Sequence, residues 1–384
     1  MIKIIITFLS YLLILFNTNL LAEVKNSKLR IGLLAPFSGD YKKLGDSLLL
    51  STQLALEEIG DKNIIIIPRD SGSDNKEKLN IAIEEIRNTG AKIIIGPMDS
   101  SLAEELEKYN DTIFISLSNI SPKISKNVIN IGISLDSQLN AIEKFIIEQK
   151  KKKTIIMYPK NKYEGLVDKK IKLLKLKNYK FFKYNTDPKL ITGEIEKLTN
   201  YSQRKRNLEN RINLLKNKED EKSIKELEKM EQLYTLGRVN FDSLIIIDFG
   251  SNLKSVLASL VFADVDDKEV LFTTVNQWFD ESIFYENSVK NLYYPSVNLQ
   301  NFKKYNKKFI SNFNEVPNEV TILAYDALGL IYYIWNKNKS INSVKDFFIK
   351  EKIKGKIGTF QFKDQKVYQE LKIYKTENKK FIEF

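Results

Sequence analysis

The residue types that most often carry out chemistry in proteins are missing from this sequence. The 384-residue chain contains no histidine and no cysteine. Nucleophile pairs of the Ser/His or Cys/His kind are therefore excluded, as are zinc sites of the ordinary type and disulfide bonds. Carboxylates, lysines and tyrosines remain as candidate catalytic groups, but no GxGxxG motif for a nucleotide follows the first predicted strand. The sequence predicts a protein that is not an enzyme and that holds no cofactor and no metal.

Polar loops that follow apolar runs are the remaining candidates for a binding site. The clearest is FSGDYKKLG at residues 37–45, where an apolar run stops at Pro36 and an apolar-periodic helix begins after the loop. Ser38 can present a hydroxyl there, and Gly39 and Gly45 permit backbone turns that bulkier residues resist. The loop follows a strand, and this is the end at which open α/β sheets bind their ligands.

Short runs of Ile, Leu and Val recur along the chain, each followed by a polar loop and a helical stretch. Continuous apolar runs, unlike alternating ones, are typical of strands that are covered on both faces, and the helices between them form crossover connections. The pattern predicts an α/β protein with doubly wound, mostly parallel sheets. The predicted strands span residues 29–35, 63–68, 91–96, 112–117, 153–158, 241–247 and 269–274.

Residues 1–22 form an apolar segment with one early lysine and Leu20-Leu21-Ala22 at its end. This composition predicts a signal peptide that is cleaved after Ala22, and hence a periplasmic protein. An uncleaved membrane anchor is the alternative, since the apolar stretch is near the short limit of about 17 residues for a spanning helix. No later segment has this character, so we predict no membrane span in the mature chain.

The chain is basic, with 61 lysines and arginines against 49 aspartates and glutamates and a net charge of +12. A basic protein in the cell envelope could bind an anionic polymer, a lipid surface or nucleic acid. The lysines are, however, spread along the whole chain. We therefore predict no nucleic-acid partner.

Residues 202–236 interrupt the alternation of strands and helices. The segment is dense in charges of both signs and carries apolar residues at helical spacing on both sides of KNKED at 216–220. Two such arms joined by a polar turn predict an antiparallel helical hairpin. The hairpin is either a solvated structural insertion or a docking arm for a protein partner, and Arg204, Lys205 and Arg206 are expected to be exposed on it.

Five segments, in this order along the chain, resemble the leucine-binding branch of the type I periplasmic binding proteins. They are SGDYKKLG at 38–45, Asp70, GAKIIIGPMDSS at 90–101, ISLSNISP at 115–122 and AYDALG at 324–329. Within that branch, SLSN at 116–119 and NQWFDE at 276–281 are most similar to the penicillin-binding protein activators, envelope proteins that stimulate peptidoglycan synthases. Those activators are lipoproteins with an N-terminal helical-repeat domain, and this sequence shows neither the lipid-bearing cysteine nor that domain.

The resemblance implies two lobes joined by three crossings of the chain, with a ligand cleft between the lobes. We place lobe one at residues 28–134 plus 297–355 and lobe two at 135–296 plus 356–384, with the hairpin inserted in lobe two. The crossings are expected near Gly132, at Tyr293–Ser296 and at Gly355–Gly358, where small or extended residues can absorb a hinge rotation. The 37–45 loop then lies on the rim of the cleft.

The family also implies which residues hold a ligand. Its amino-acid receptors offer hydroxyls and amides to the carboxylate and an acid to the ammonium, because a zwitterion loses its hydration when the cleft closes. By this resemblance Ser100 corresponds to the carboxylate-binding serine and Ser118 to a backbone contact. Asp136, Tyr163 and Phe249 lie where the family has an acid and two cleft aromatics.

Two positions depart from the family pattern. Ile120 stands where the family has a threonine that grips the zwitterion, and Asn276 where it has the glutamate that faces the ammonium. The loss of a charge-assisted partner costs about 1.5–3 kcal/mol each, so an ordinary amino acid is expected to bind poorly.

The polar residues that remain in the implied cleft suit a neutral, hydroxyl-rich ligand, and each also has a purely structural interpretation. Asn119 can shape a turn, the serine pair can cap a helix, and Trp278 can belong to the core. The set comprises Ser100, Ser101, Ser118, Asn119, Asn276 and Trp278.

Two functions follow from the resemblance. The first is a non-enzymatic periplasmic regulator of peptidoglycan synthesis, of the activator type, whose partner is an envelope peptidoglycan synthase. The alternative is a solute-binding protein of an ABC transporter, which delivers an amino acid or a related small polar solute to an ABC permease.

Overall fold

The structure is a computed structural model that describes residues 28–72, 75–98, 103–119, 126–279, 290–356, 358–363, 366–377 and 380–384. The predicted leader at 1–22 lies outside these ranges, as do Ser100, Ser101 and Ile120. In the part of the chain that is described, no helix combines the length and the apolar character of a membrane span.

The chain alternates strands and helices over most of its length. The first part runs β1 (Leu29–Ala35), α1 (Lys42–Ile59), β2 (Ile64–Asp70), α2 (Lys76–Asn88), β3 (Ile93–Ile95), α3 (Ala103–Leu106), β4 (Ile113–Ser116) and β5 (Val128–Asn130). The middle part runs α4 (Leu135–Glu148), β6 (Thr154–Pro159), α5 (Glu164–Ile171), β7 (Tyr179–Tyr184), α6 (Pro188–Leu198), α7 (Tyr201–Lys216), α8 (Glu221–Met230), β8 (Ser243–Ile246), α9 (Gly250–Phe262), β9 (Leu271–Thr274) and β10 (Leu292–Ser296). The last part runs α10 (Leu299–Phe313), α11 (Ile322–Asn338), β11 (Ile353–Lys354), β12 (Thr359–Lys363), β13 (Lys366–Glu370), β14 (Lys372–Glu377) and β15 (Lys380–Glu383).

The strands form two large sheets and one small one. Sheet A is parallel throughout, with the order β2-β1-β3-β4-β5. Sheet B has the order β15-β14-β10-β9-β8-β6-β7 and is parallel from β7 to β10, whereas β14 and β15 pair antiparallel. Strands β11, β12 and β13 form a small antiparallel sheet. The prediction of doubly wound, mostly parallel sheets in a two-lobed α/β protein is confirmed.

Helix boundaries follow from local sequence. A side-chain oxygen of the N-cap residue accepts a backbone N–H at the start of several helices, which satisfies a donor that has no partner within the helix. The residues that do this are Asn75 for α2, Ser134 for α4, Asp187 for α6, Asp220 for α8 and Asn298 for α10. Helix α1 ends at Gly60, whose φ of 68° lies in the left-handed region that glycine adopts without strain.

The apolar runs are continuous because helices cover both faces of each parallel sheet. In β3, Ile93 and Ile95 join the cluster formed with α1, α10 and α11, whereas Ile94 joins the opposite cluster with α2. In β8, Leu244 packs with α6 and α9, whereas Ile245 packs with α4 and α5. Successive side chains of a strand point to opposite faces, so apolar residues are favoured at consecutive positions of such a strand.

The chain passes between the two large sheets three times. It leaves sheet A after Asn130, returns to the sheet A helices after Ser296, and rejoins sheet B at Lys372. Between the last two points, β12 and β13 place Phe360, Phe362 and Val367 in the apolar cluster of sheet A. The lobe limits given above remain a proposal.

The segment predicted as a hairpin consists of α7 and α8, which pack against each other. Leu208 and Leu215 of α7 are buried, and Arg211 Nε donates to Glu226 Oε1 of α8 at 2.9 Å. Lys205 and Arg206 are exposed, as expected.

The expectation that Arg204 is exposed was wrong. Its exposed fraction is only 5%. Its guanidinium donates to Thr199 O at 3.1 Å, to Thr235 Oγ1 at 2.9 Å and to Asp264 O at 3.1 Å, and also to Ala263 O. Thr199 and Ala263 cap the C-termini of α6 and α9. Arg204 is buried because it supplies donors to carbonyl groups that the ends of these helices leave unpaired.

The two glycines of the 37–45 loop have different roles. Gly39 has a φ of 72°, so it forms a turn that favours glycine. Gly45 lies instead inside α1, and a Cβ atom added there would be 2.2 Å from the carbonyl oxygen of Pro36. Glycine at position 45 therefore lets the first turn of α1 approach the end of β1.

We predict that Gly45→Ala lowers the free energy of unfolding by about 1–3 kcal/mol, because the added methyl group forces the backbone of Pro36 away from α1. Chemical denaturation followed by circular dichroism measures this. Gly193→Ala is the matched control: Gly193 is also helical, nothing lies within 4 Å of the added atom, and alanine should stabilise α6 by about 0.5–1 kcal/mol. Equal stability of the two variants would show that the close approach at Gly45 is not required.

Candidate functional site

A cavity of about 390 Å³ lies where the carboxyl ends of the parallel strands of both large sheets meet. Its lining combines residues that directly follow strands of sheet A with residues that follow strands of sheet B. These are Met98 after β3, Leu117 and Ser118 after β4, Asn161 after β6, Asp248 and Phe249 after β8, and Val275 and Asn276 after β9. This is the edge at which open α/β sheets bind ligands, and the volume is within the range of roughly 300–1,000 Å³ of small-molecule sites.

The structure brings part of the predicted site together. The cavity is lined by Ser118, Asn119, Tyr163, Phe249, Asn276 and Trp278. Asp136 is not among the lining residues, because it forms an ion pair with Lys170 that ties α4 to α5. Ser38 is also absent from the lining, and Ser100 and Ser101 lie outside the described residues.

Asn276 and Trp278 form a turn that shapes one wall of the cavity. The side-chain oxygen of Asn276 accepts the backbone N–H of Trp278 at 2.9 Å, and the backbone N–H of Asn276 donates to Gln138 Oε1 at 2.9 Å. Trp278 has a φ of 52°, in the left-handed region. Such strain persists only where the surrounding structure holds it, and it is found often at ligand sites.

Trp278 contributes both to the core and to the cavity. Its ring centroid lies 6.4 Å from that of Phe302 in α10, and the residue also lines the cavity. The packing and binding interpretations of this residue are therefore compatible. Because Phe302 belongs to the cluster of sheet A, Trp278 connects a loop of sheet B to the other lobe.

Asp248 was not among the predicted site residues; it follows the apolar run of β8 and lines the cavity with an exposed fraction of 5%. Tyr184 OH donates to its Oδ2 at 2.6 Å, and the N–H of Phe249 donates to its Oδ1 at 2.9 Å. Burial raises the pKa of Asp248, and the hydrogen bonds from Tyr184, Phe249 and Asn252 offset part of that effect. The signal for Asp248 was an acid placed directly at the carboxyl end of a buried strand.

Ser38 belongs to a polar cluster beside the loop at 37–45. Lys78 Nζ donates to Ser38 Oγ at 2.7 Å and to Asp70 Oδ2 at 2.6 Å. Asp70 Oδ1 also accepts the backbone N–H groups of Phe37 and Gly72, both at 2.9 Å. Burial alone would raise the pKa of Asp70, but the hydrogen bonds from Lys78, Ser38 and these amides lower it to about 2. The cluster fixes the loop after β1 to the start of α2.

Sequence comparison matches residues 28–173 to a family model described as periplasmic binding protein. A Leu/Ile/Val-binding protein, BraC3 of Rhizobium johnstonii, is 24% identical over 163 residues. That match spans 38% of this chain and only 44% of the relative.

Solved structures with the same fold include binding proteins and a regulator. The C-domain of LpoA from Haemophilus influenzae, described as a regulator of PBP1A, has a TM-score of 0.61 at 13% identity and aligns over 92% of this chain and 99% of its own. LivJ of Streptococcus pneumoniae, solved with isoleucine, has a TM-score of 0.56 at 16% identity over 93% of this chain and 100% of its own. A putative branched-chain amino acid ABC transporter protein of Rhodospirillum rubrum has a TM-score of 0.68 at 11% identity. It aligns over 93% of this chain and 99% of its own.

These matches confirm the resemblance to the type I periplasmic binding proteins. At such identities the structural neighbours show the fold and do not distinguish a regulator from a transport protein.

We predict that Asp70→Asn lowers the free energy of unfolding by about 1–2 kcal/mol at pH 7, because the variant loses the charged partner of Lys78. This range is smaller than the pKa shift alone would give, because solvent screens the partly exposed pair. The folded-state pKa of about 2 lies below the unfolded value of about 3.9, so the stabilisation is present above the unfolded value and is lost as the pH falls towards 2. Urea unfolding at a series of pH values measures the difference between wild type and variant.

The matched control for that series is Asp40→Asn, in the exposed part of the same loop. This variant should differ little from wild type at every pH, since surface substitutions usually change stability by less than about 0.5 kcal/mol. A wild-type advantage over Asp70→Asn that does not shrink as the pH falls would contradict the ionic role assigned to Asp70.

Proposed function

We propose that this chain, which has the two-lobed fold of the type I periplasmic binding proteins, is a non-enzymatic periplasmic regulator of peptidoglycan synthesis that docks on an envelope peptidoglycan synthase. The observation that carries the proposal is that a single helix, α9, joins the ligand cavity to the helical hairpin. A binding event in the cavity and a protein contact at the hairpin are then linked by one rigid element.

Helix α9 connects the two features directly. It begins at Gly250, immediately after Asp248 and Phe249, which line the cavity. It ends at Phe262, and the guanidinium of Arg204 in the hairpin donates to the carbonyl of the next residue, Ala263. A displacement of the cavity wall at Phe249 therefore moves the element to which the hairpin is fastened.

The attachment of the hairpin supports a role beyond that of a loose surface insertion. Burying a guanidinium costs free energy unless its donors are paired, and Arg204 is paired with four oxygen atoms. The hairpin thus has a fixed orientation on its lobe. A fixed orientation suits a docking arm, because a rigid surface loses less entropy on association.

The outer surface of the hairpin has the composition of a contact surface. Large apolar side chains are exposed on it and just after it: Leu214, Ile224 and Tyr234, with exposed fractions of 61%, 47% and 78%. Lys205 and Arg206 add positive charge at the base of α7. Exposed apolar groups rimmed by charge are typical of protein–protein contact sites.

The likeness to LpoA supports the same proposal, since that protein is described as a regulator of PBP1A and its C-domain aligns over nearly all of this chain. The second candidate function is solute binding for an ABC transporter, and the cavity itself favours it. In that case an ABC permease is the partner, and the hairpin is structural.

We predict that the double variant Lys205→Glu/Arg206→Glu binds the organism's own peptidoglycan synthase with a roughly tenfold slower association rate at low salt, because charge reversal removes electrostatic steering. Surface plasmon resonance with the immobilised synthase measures the rate. Lys303→Glu/Lys304→Glu, an equal charge change at exposed positions of α10, should leave it nearly unchanged. Identical rates for wild type and both variants, all with native melting transitions, would rule out docking through the hairpin.

We predict that leucine, isoleucine and valine do not bind with micromolar affinity. Asp248 is the only charged side chain among the described residues that line the cavity, and the side-chain oxygen of Asn276 is engaged by Trp278, so a zwitterion lacks compensating charge. Calorimetric titration is the measurement. A dissociation constant near 1 μM, about −8.2 kcal/mol, would make solute transport the preferred function.

A further inference from the structure

Three aromatic side chains from three different segments line the cavity. Tyr163 precedes α5, Phe249 precedes α9 and Trp278 belongs to the turn after β9. Tyr163 and Phe249 remain exposed by 43% and 66%. Aromatic faces carry partial negative charge and attract the partially positive C–H groups of an apolar face laid against them. The wall of the cavity thus offers flat surfaces to a ligand that has a flat, apolar side.

Asparagine amides line the same cavity as these rings. Asn161 accepts the backbone N–H of Tyr163 at 2.9 Å through its oxygen, as Asn276 does for Trp278. For the NH₂ groups of these two asparagines the described part of the chain supplies no partner. Asn119, on the sheet A side, is exposed. Amides provide both donors and acceptors, so they match hydroxyl groups, which also do both.

The charge of the lining disfavours an ionised ligand. None of the described lining residues is a lysine or arginine. Lys162 has its Nζ 5.1 Å from the ring centroid of Tyr163 and is not itself a lining residue. A carboxylate in this cavity would lose hydration without a facing cation among the described lining residues, which disfavours its binding.

Asp248 is also poorly suited to hold an ammonium group. Its acceptor positions are partly taken by Tyr184 OH, the N–H of Phe249 and the side chain of Asn252. Burial also raises its pKa, which disfavours the charged form. A remaining lone pair can still accept a hydrogen bond from a neutral hydroxyl.

We propose that the cavity takes one uncharged sugar ring, a hexose or an N-acetylhexosamine, whose C–H face lies against Phe249 and Trp278 and whose hydroxyls bond to the asparagine amides and Asp248. The inference rests on the proposed binding role of the cavity and names the class of ligand. Hydroxyls that reach Asn119 on one side and Asn276 on the other bind loops of both sheets, so the sugar favours a closed cleft.

The two tryptophans of the chain allow a direct test. Trp335 packs in the cluster of sheet A, with its ring centroid 6.2 Å from that of Tyr332, and is not a lining residue. In a Trp335→Phe background, Trp278 is the only tryptophan. Titration of this protein with D-glucose, N-acetyl-D-glucosamine and L-leucine, followed by fluorescence and calorimetry, should give a saturable change with at least one of the two sugars at millimolar concentration or below.

Two substitutions then locate the bound sugar. Phe249→Ala removes a stacking face and should weaken sugar binding at least tenfold. Asn161→Ala removes an amide, together with the acceptor for the backbone N–H of Tyr163, and should also weaken it. Phe181→Ala is the matched control, because Phe181 is exposed by 63% on β7 and lies away from the lining. This control should bind the sugar as wild type does, and each variant is first checked for a native melting transition.

The proposal is overturned if neither sugar gives a saturable signal, or if a sugar binds equally well to wild type, Phe249→Ala and Asn161→Ala. Leucine binding that is lost in Phe249→Ala, without sugar binding, would reject the sugar while leaving the cavity as a ligand site. The proposed regulatory function is tested by a different measurement. It fails if Lys205→Glu/Arg206→Glu associates with the synthase at the wild-type rate, whatever the sugar titrations show.

Discussion

Burial of both faces of the parallel strands is the constraint on which the rest of the structure depends. Because β3 and β8 are covered on two sides, their Ile and Leu side chains pack into opposite clusters. Each fully buried side chain of this kind contributes about 1.5–3 kcal/mol through the hydrophobic effect. Parallel strands need crossover helices, and this arrangement gathers the polar loops at the carboxyl ends of the strands. The cavity is therefore a consequence of how the cores are built.

The polar groups at this edge are divided between structure and recognition. Asp70 is fully used in holding the loop after β1, and Asp136 is used in joining α4 to α5. Asn276 and Asp248 each give part of their hydrogen-bonding capacity to neighbouring backbone or to Tyr184 and keep part for the cavity. A buried polar group must be paired, and groups that are only partly paired within the chain are those that a ligand can complete.

Arg204 shows how a surface insertion becomes part of the architecture. Its guanidinium donates hydrogen bonds to the carbonyl groups at the ends of both α6 and α9. The hairpin therefore satisfies acceptors that have no partner within these helices. The buried charge fixes the hairpin in one orientation. The same contact places the hairpin at the far end of the helix that starts at the cavity.

The sequence by itself determined the features that repeat locally. The buried strand at 29–35 and the helical arms on either side of residues 216–220 could be recognised because period and length are properties of one segment. The resemblance also indicated six residues that line the cavity, Phe249 and Trp278 among them. The strands that the pattern missed include β7 and β14, whose side chains are partly exposed and alternate with polar residues, so their apolar signal is weak.

Only the tertiary structure decided which polar residues are buried and what they contact. Arg204 looked like its exposed neighbours Lys205 and Arg206, because its burial depends on Ala263, 59 positions later in the chain. Asp248 is buried with Tyr184 as its hydrogen-bond partner, which the order β8-β6-β7 in sheet B brings within hydrogen-bonding distance. Ser38 accepts a hydrogen bond from Lys78, 40 positions later in the sequence, and does not line the cavity. Such pairings are set by the arrangement of whole strands and helices, and no periodic pattern in a single segment carries that information.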